Sequence, residues 1–228
     1  MGHHFETILC RAKCFLWDFD GCFADTERLH FFAYRTAFAQ VGHNIAESDY
    51  YPSFTHLGDG TSREIFTHKL QIAEEEIARV KAQEYKRLIA QGPVSCFSET
   101  LPLVRLMHAR GAKVAIASNS SEEEIQTVLS TAGFPVEELD LVVGKRDGLR
   151  KKPAPDIFLH ALEKLSLRPE EAVVLEDSNR GLMAAAAAGC HAIWVRTRYN
   201  DGLQSNEPHL NSLSHGSLLE LMKTLPPS

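Results

Sequence analysis

Four groups of polar residues stand directly after short apolar runs, and their types suit chemistry on a charged ligand. Asp18-Phe19-Asp20-Gly21 follows a run of Cys, Phe, Leu and Trp. Residues two apart on a strand share a face, so both carboxylates are expected to face one point. The competing use is a strand-exit turn whose aspartates cap a helix. Glu176-Asp177 closes a second run and brings two more acids. Carboxylates gathered in this way repel unless a cation joins them, and an all-oxygen donor set suits a hard ion such as Mg2+. Helix capping is again the alternative. Ser118-Asn119-Ser120 leads into a helical pattern, where a hydroxyl, an amide and free backbone N–H groups either hold an anion or form an ordinary N-cap. Lys152 precedes the stiff Pro153-Ala154-Pro155 and supplies a cation, with Lys151 as second choice.

These groups need a frame that brings them together. Five short apolar runs, 14–17, 114–117, 141–143, 172–175 and 192–195, alternate with amphipathic stretches. That alternation predicts buried parallel strands in an α/β sheet, whose ligands bind at the carboxyl ends of the strands. Ser121-x-x-Glu124 is a capping box. Pro155 suits a first helical turn, and Gly133 and Gly189 suit helix ends. The alanine-rich 181–188 segment predicts a helix packed closely on its neighbours. Between about Leu29 and Gln91 only helical patterning occurs, and some 60 residues are too many for one crossover. The expected architecture is a Rossmann-like parallel sheet core, residues 1–28 and 93–228, with an inserted α-helical cap, residues 29–92. A short helix and a tail close the chain.

In order and spacing the four groups resemble the haloacid dehalogenase superfamily, in its helical-cap branch of phosphatases and beta-phosphoglucomutases. Asp18 to Glu27 is similar to the first motif, Ser118-Asn119 to the second, Lys152 to Phe158 to the third, and Glu176 to Gly181 with the alanines after it to the fourth. The resemblance implies that Asp18 attacks phosphorus to form an aspartyl phosphate. It implies that Asp20 is the general acid and base, and that its backbone carbonyl joins Asp18, Glu176 and Asp177 around Mg2+. Ser118, Asn119 and Lys152 would hold the phosphoryl oxygens. In the cap, Arg63 and Lys81 resemble substrate-binding positions, with a solvated helix face as the plainer reading. His30 resembles a cap-entrance histidine, more often structural. Arg180 is expected to be an exposed helix residue. Cys22 lies beside the catalytic loop, which predicts sensitivity to thiol reagents.

The expected activity is Mg2+-dependent hydrolysis of a small phosphorylated metabolite, a sugar phosphate or similar. A beta-phosphoglucomutase-type phosphomutase shares every catalytic residue and is the alternative, as is an inorganic pyrophosphatase. A dehalogenase needs neither Asp20 nor the Glu176-Asp177 pair. The net charge of −6 speaks against nucleic-acid or anionic-membrane partners. Five cysteines without a CxxC pair predict neither zinc nor a disulfide framework, and so a reducing cytoplasm. His3 and His4 are given no metal role. A monomer or weak dimer is expected.

Overall fold

The computed structural model describes residues 2–205 and 211–226. Its centre is a six-stranded, all-parallel sheet in the order β3-β2-β1-β4-β5-β6. The strands are β1 (Cys14–Trp17), β2 (Lys113–Ala117), β3 (Leu141–Val143), β4 (Ala172–Glu176), β5 (His191–Arg196) and β6 (Asn211–Ser214). β1 and β4 are buried along their whole length, which explains why they read as unbroken apolar runs rather than alternating ones. Trp17 pairs in register with Ile116 and with Leu175. Continuing that register sets Asp18 level with Ala117 and Glu176 at the carboxyl edge.

Helices α1 (Gly2–Arg11), α6 (Thr100–Ala109), α7 (Glu122–Thr131), α8 (Asp156–Leu165), α9 (Asn179–Ala188) and α10 (His215–Thr224) accompany the sheet. Its two faces carry separate apolar clusters. Phe15, Trp17, Val114 and Ile116 meet Leu103, Met107 and Leu129 in one. Leu16, Ala115 and Val174 meet Phe158, Ala184 and Ala185 in the other. The alanine-rich α9 does lie close against its neighbours: Ala184 and Ala185 are fully buried. The capping box forms as expected, with Ser121 Oγ accepting from the Glu124 N–H at 3.3 Å and Glu124 Oε2 accepting from the Ser121 N–H at 2.8 Å.

Between β1 and β2 the chain leaves the sheet for α2 (Glu27–Ala39), α3 (Glu47–Tyr50), a π-helical turn (Tyr51–Leu57), α4 (Gly60–Thr67) and α5 (Glu74–Gln91). This layer has its own core of Phe31, Phe38, Ile45, Tyr50, Phe54, Ile77 and Val80. Tyr85 and Ile89 of α5 belong instead to the sheet's cluster, so α5 joins the two bodies. Two elements went unread in the sequence. β6 is Asn-Ser-Leu-Ser on a sheet edge, with too little apolar content to signal a strand. α1 shows only Phe5, Ile8 and Leu9 at helical spacing, and Leu9 is buried.

Candidate active site

A cavity of about 230 Å³ lies between the carboxyl edge of the sheet and the helical layer. It gathers Asp18, Asp20, Ser118, Asn119, Lys152, Glu176 and Asp177, the core residues expected from the sequence, together with Lys81 from α5.

Lys152 is the hub of the floor. Its Nζ donates to Asp18 Oδ1 at 2.5 Å and to Glu176 Oε1 at 2.8 Å, over the face of Phe158 at 4.6 Å. Burial disfavours its charge, yet Asp18 and Glu176 hold it firmly protonated. The peptide bond from Lys152 to Pro153 is cis. Burial pushes the Asp18 carboxyl up, Lys152 opposes this, and Glu176 adds to it. Asp177 is raised further, by burial first and then by Glu176 and Asp18.

Donor oxygens of Asp18, Glu176 and Asp177 lie within 4.8 Å of one another. Asp177 Oδ2 is buried without a hydrogen-bond partner. Gly21 stands beside it at φ +77°, where a Cβ would come within 2.5 Å of that oxygen. An orphaned carboxylate oxygen in a raised acidic cluster fits an oxygen-liganded dication. Glu176, expected among the metal's carboxylates, has further partners. Its Oε1 accepts from Lys152, and its Oε2 accepts from the Ser178 N–H at 2.8 Å and Ser178 Oγ at 2.9 Å. A Cβ on Gly181 would fall 1.6 Å from Glu176 Oε1, so only glycine lets the carboxylate sit against the start of α9. Glu176 thus positions Lys152 while standing in the acidic cluster with Asp18 and Asp177.

Asp20 was expected to meet the ion through its backbone carbonyl, and its side chain, which lies outside the acidic cluster, is engaged by other partners. Thr26 Oγ1 donates to its Oδ1 at 2.7 Å, Tyr85 OH to the same oxygen at 3.2 Å, and Ser120 Oγ to Oδ2 at 2.5 Å. His30 Nε2 lies 2.9 Å from Oδ1, and its ring stacks on Tyr85 at 3.9 Å. Burial alone would raise this carboxyl, but His30, Ser120 and Thr26 together hold it well below the ordinary carboxylate range. Of these partners the sequence had singled out only His30, as more often structural. Tyr85 and Ser120 were missed as partners of Asp20, because a tyrosine 65 residues away carries no local signal.

The anion-binding groups are arranged for donation. Ser118 Oγ accepts from the Ser120 N–H at 3.1 Å, which leaves its own proton to give. Asn119 Oδ1 accepts from the Lys152 N–H at 3.0 Å, so the NH2 end of the amide is the one available to an anion.

Toward the helical layer the expectations divide. Lys81 lines the cavity, packed over Tyr85 at 4.5 Å and Tyr34 at 5.6 Å, and burial lowers its proton affinity. Arg63 is not brought to the cavity. It donates to Asp59 at 2.8 Å, and both side chains are about half exposed. The i,i+4 spacing of Asp59 and Arg63 already favours such a surface pair. Arg180, expected on an exposed face, instead lines the cavity with a buried, unpartnered Nε. Gly58, at φ +79°, approaches it so closely that a Cβ would fall 2.2 Å from Arg180 Cδ. Lys151 lines the cavity too. Cys22 is fully buried, and burial pushes its thiol well above the ordinary value, so sequence closeness to the catalytic loop does not make it reactive.

An α/β sheet with an acidic, lysine-centred edge beneath a helical layer defines a class, and residues 15–195 match the haloacid dehalogenase-like hydrolase family. The chain belongs to that family and stands in the phosphatase branch of its superfamily. It is 31% identical to protein CbbY of Cereibacter sphaeroides over 192 residues, covering 79% of this chain and 83% of the relative. It is 29% identical to the fructose-1-phosphate phosphatase YqaB of Escherichia coli over 188 residues, 79% of this chain and 95% of that one. Among solved structures, CbbY from Rhodobacter sphaeroides in complex with phosphate superposes with a TM-score of 0.75 at 28% identity, covering 92% of this chain and 96% of that chain. Among the described residues, no helix is long and apolar enough to cross a membrane.

Proposed function

We propose that this hydrolase is a Mg2+-dependent phosphatase of small phosphorylated metabolites, sugar phosphates foremost, acting through an aspartyl phosphate on Asp18. The observation that carries this reading is the placement of Asp18 beside Lys152 and the unpartnered Asp177 oxygen, with Asp20 across the same cavity. Asp18, Glu176 and Asp177 would hold the ion, which when bound offsets negative charge on the phosphoryl group. Lys152, the Ser118 hydroxyl and the Asn119 amide bind the phosphoryl oxygens and aim phosphorus at Asp18. Asp20 gives a proton to the leaving oxygen and then takes one from the attacking water. The proton it gives is one Asp20 takes up from the substrate's phosphate monoanion or from water as the complex forms, since a phosphate beside it raises its proton affinity as any neighbouring negative charge does. The similarity to a fructose-1-phosphate phosphatase supports the choice of sugar phosphates.

Lys81, Lys151 and Arg180 add cations to the cavity's lining, and they favour substrates with a second anionic group. The same feature keeps a phosphomutase open as second reading, although Arg63, one of the two cap cations that suggested it, faces solvent. One experiment separates them. The enzyme is offered sugar phosphates, sugar bisphosphates, nucleotides and pyrophosphate with Mg2+, and free phosphate and isomerised sugar are followed separately. Phosphate release from at least one sugar phosphate at roughly 1 per second or more, abolished reversibly by EDTA, is the expected result. Rapid isomerisation of beta-glucose 1-phosphate with negligible phosphate release would overturn the hydrolase reading.

A further inference from the structure

Outside the catalytic cavity, a second group of side chains with metal-binding chemistry converges on the helical layer. Glu64 lies in α4 and His68 caps that helix four residues later, so both project from one face. His43 arrives from the loop after α2. Its backbone N–H donates to Phe38 O at 3.1 Å, and its ring stands edge-on to Phe38 at 5.7 Å. His43 Nε2 lies 2.6 Å from Glu64 Oε2, and His68 Nε2 lies 3.5 Å from the same oxygen. The two imidazoles face each other with centroids 4.4 Å apart, and donor atoms of all three residues lie within 4.8 Å of one another.

A carboxylate–imidazole hydrogen bond accounts for His43 and Glu64 alone. It does not account for a second imidazole nitrogen turned toward the same oxygen from beyond good hydrogen-bonding distance. The geometry points to a binding site for a transition-metal dication, Zn2+ by preference, ligated by His43 Nε2, Glu64 and His68 Nε2. Metal–nitrogen bonds of about 2.0–2.1 Å around a tetrahedral ion set neighbouring donors roughly 3.3 Å apart. The His68–Glu64 separation already meets that spacing, and the His43–Glu64 contact has to open by well under 1 Å. Two imidazoles and one carboxylate suit Zn2+ or Co2+ and are a poor set for Mg2+ or Ca2+, which take oxygen. Side-chain exposures of 15% for His43, 14% for Glu64 and 49% for His68 describe two ligands held by packing and one at the surface, with solvent access for a fourth. None of the three lines the cavity. The ion clamps the loop after α2 onto α4, which follows the π-helical turn whose Phe54 and Thr55 do line it.

The test uses the full chain with His3 and His4 replaced by alanine, so that a second histidine pair does not contribute. Excess Mg2+ is present to occupy the catalytic carboxylates. Titration with Co2+ is followed by visible absorption, and Zn2+ is then added in competition. Expected are one Co2+ per chain, the intense visible band of four-coordinate cobalt, and its displacement by Zn2+ with a rise in melting temperature. His43→Ala or His68→Ala should abolish the band and weaken Zn2+ binding by at least about tenfold. A weak six-coordinate spectrum in the parent protein would overturn the site without reference to any variant. So would an unchanged band in the double variant His43→Ala/His68→Ala. Turnover is not a readout here, so failure of the phosphatase reading leaves this test standing.

Discussion

Replacing Lys152 with methionine keeps the aliphatic stem over Phe158 and removes only the charge. In the protein that charge is 3% exposed and lies between Asp18 and Glu176 at 2.5 and 2.8 Å. Taking one partner from a buried pair leaves an uncompensated charge and ordinarily costs about 3–5 kcal/mol. For a chain of this size each kcal/mol moves the thermal midpoint by about 2–4 °C, so Lys152→Met should melt roughly 6–20 °C below wild type in EDTA at neutral pH. The deficit should depend on pH. Asp18 and Asp177 already sit above the carboxylate range through burial and mutual repulsion, and Lys152 is what opposes this. An acid whose folded pKa is raised favours the folded state below its unfolded value, and that advantage is lost as pH rises through the folded value. The gap between variant and wild type should therefore be smaller at pH 5 than at about pH 8, widening as pH rises through about 7, where wild-type Asp18 ionises. Urea denaturation at both pH values, without metal, reads it directly. Equal midpoints for the two proteins at neutral pH would refute the claim that Lys152 neutralises the acidic floor. Turnover should drop about 100- to 1,000-fold as well, the usual cost of one lost transition-state donor.

Asp18→Asn should remove turnover by several orders of magnitude while circular dichroism shows an intact fold, because Lys152 keeps Glu176 as a partner; a wild-type rate would dismiss Asp18 as nucleophile. His30→Ala should raise the titration midpoint of the Asp20 carboxyl, measured by carbon NMR, since His30 heads the interactions that offset burial there. Because a depressed carboxyl stabilises the fold above its unfolded pKa, the same variant should lose stability at neutral pH and little in strong acid; an unmoved Asp20 midpoint would count against the pair. Maleimide should inhibit wild type and Cys22→Ser alike or not at all, since Cys22 is fully buried and its thiol is pushed well up; protection in the serine variant would show that the loop after β1 opens to solvent.

The core half of the site was legible because local sequence carries it. Asp18, Ser118 and Glu176-Asp177 each follow a buried apolar run, and a parallel sheet forces the ends of such runs to one edge. Lys152 was separable from Lys151 only through its place before proline. The helical half was harder to read, because which face of a cap helix meets the core depends on packing between distant segments. Lys81 and Arg63 looked alike in the sequence. One lies buried over two tyrosines, and the other pairs with Asp59 in solvent. Arg180 was misjudged for the same reason: its burial comes from Gly58, 122 positions away in the chain. Cys22 shows that adjacency to a catalytic loop and access to solvent are independent properties.

The partners of Asp20 explain how the two halves act as one site. Thr26 comes from the N-cap of α2, His30 from α2 itself, Tyr85 from α5 and Ser120 from the loop before α7. Two of the four belong to the helical layer. The floor made by Asp18, Lys152, Glu176 and Asp177 lies wholly in the sheet's own segments and is complete without that layer. On the mechanism proposed above, attack on phosphorus would be prepared by the core alone, whereas the partners of the Asp20 carboxyl include His30 of α2 and Tyr85 of α5. On the function proposed above, a substrate held by Lys81 and Arg180 would meet the same layer that sets His30 and Tyr85 on Asp20. Recognition of its distal part and readiness for proton transfer would then be one packing event, since α5 has Val80 in the layer's core and Tyr85 in the sheet's.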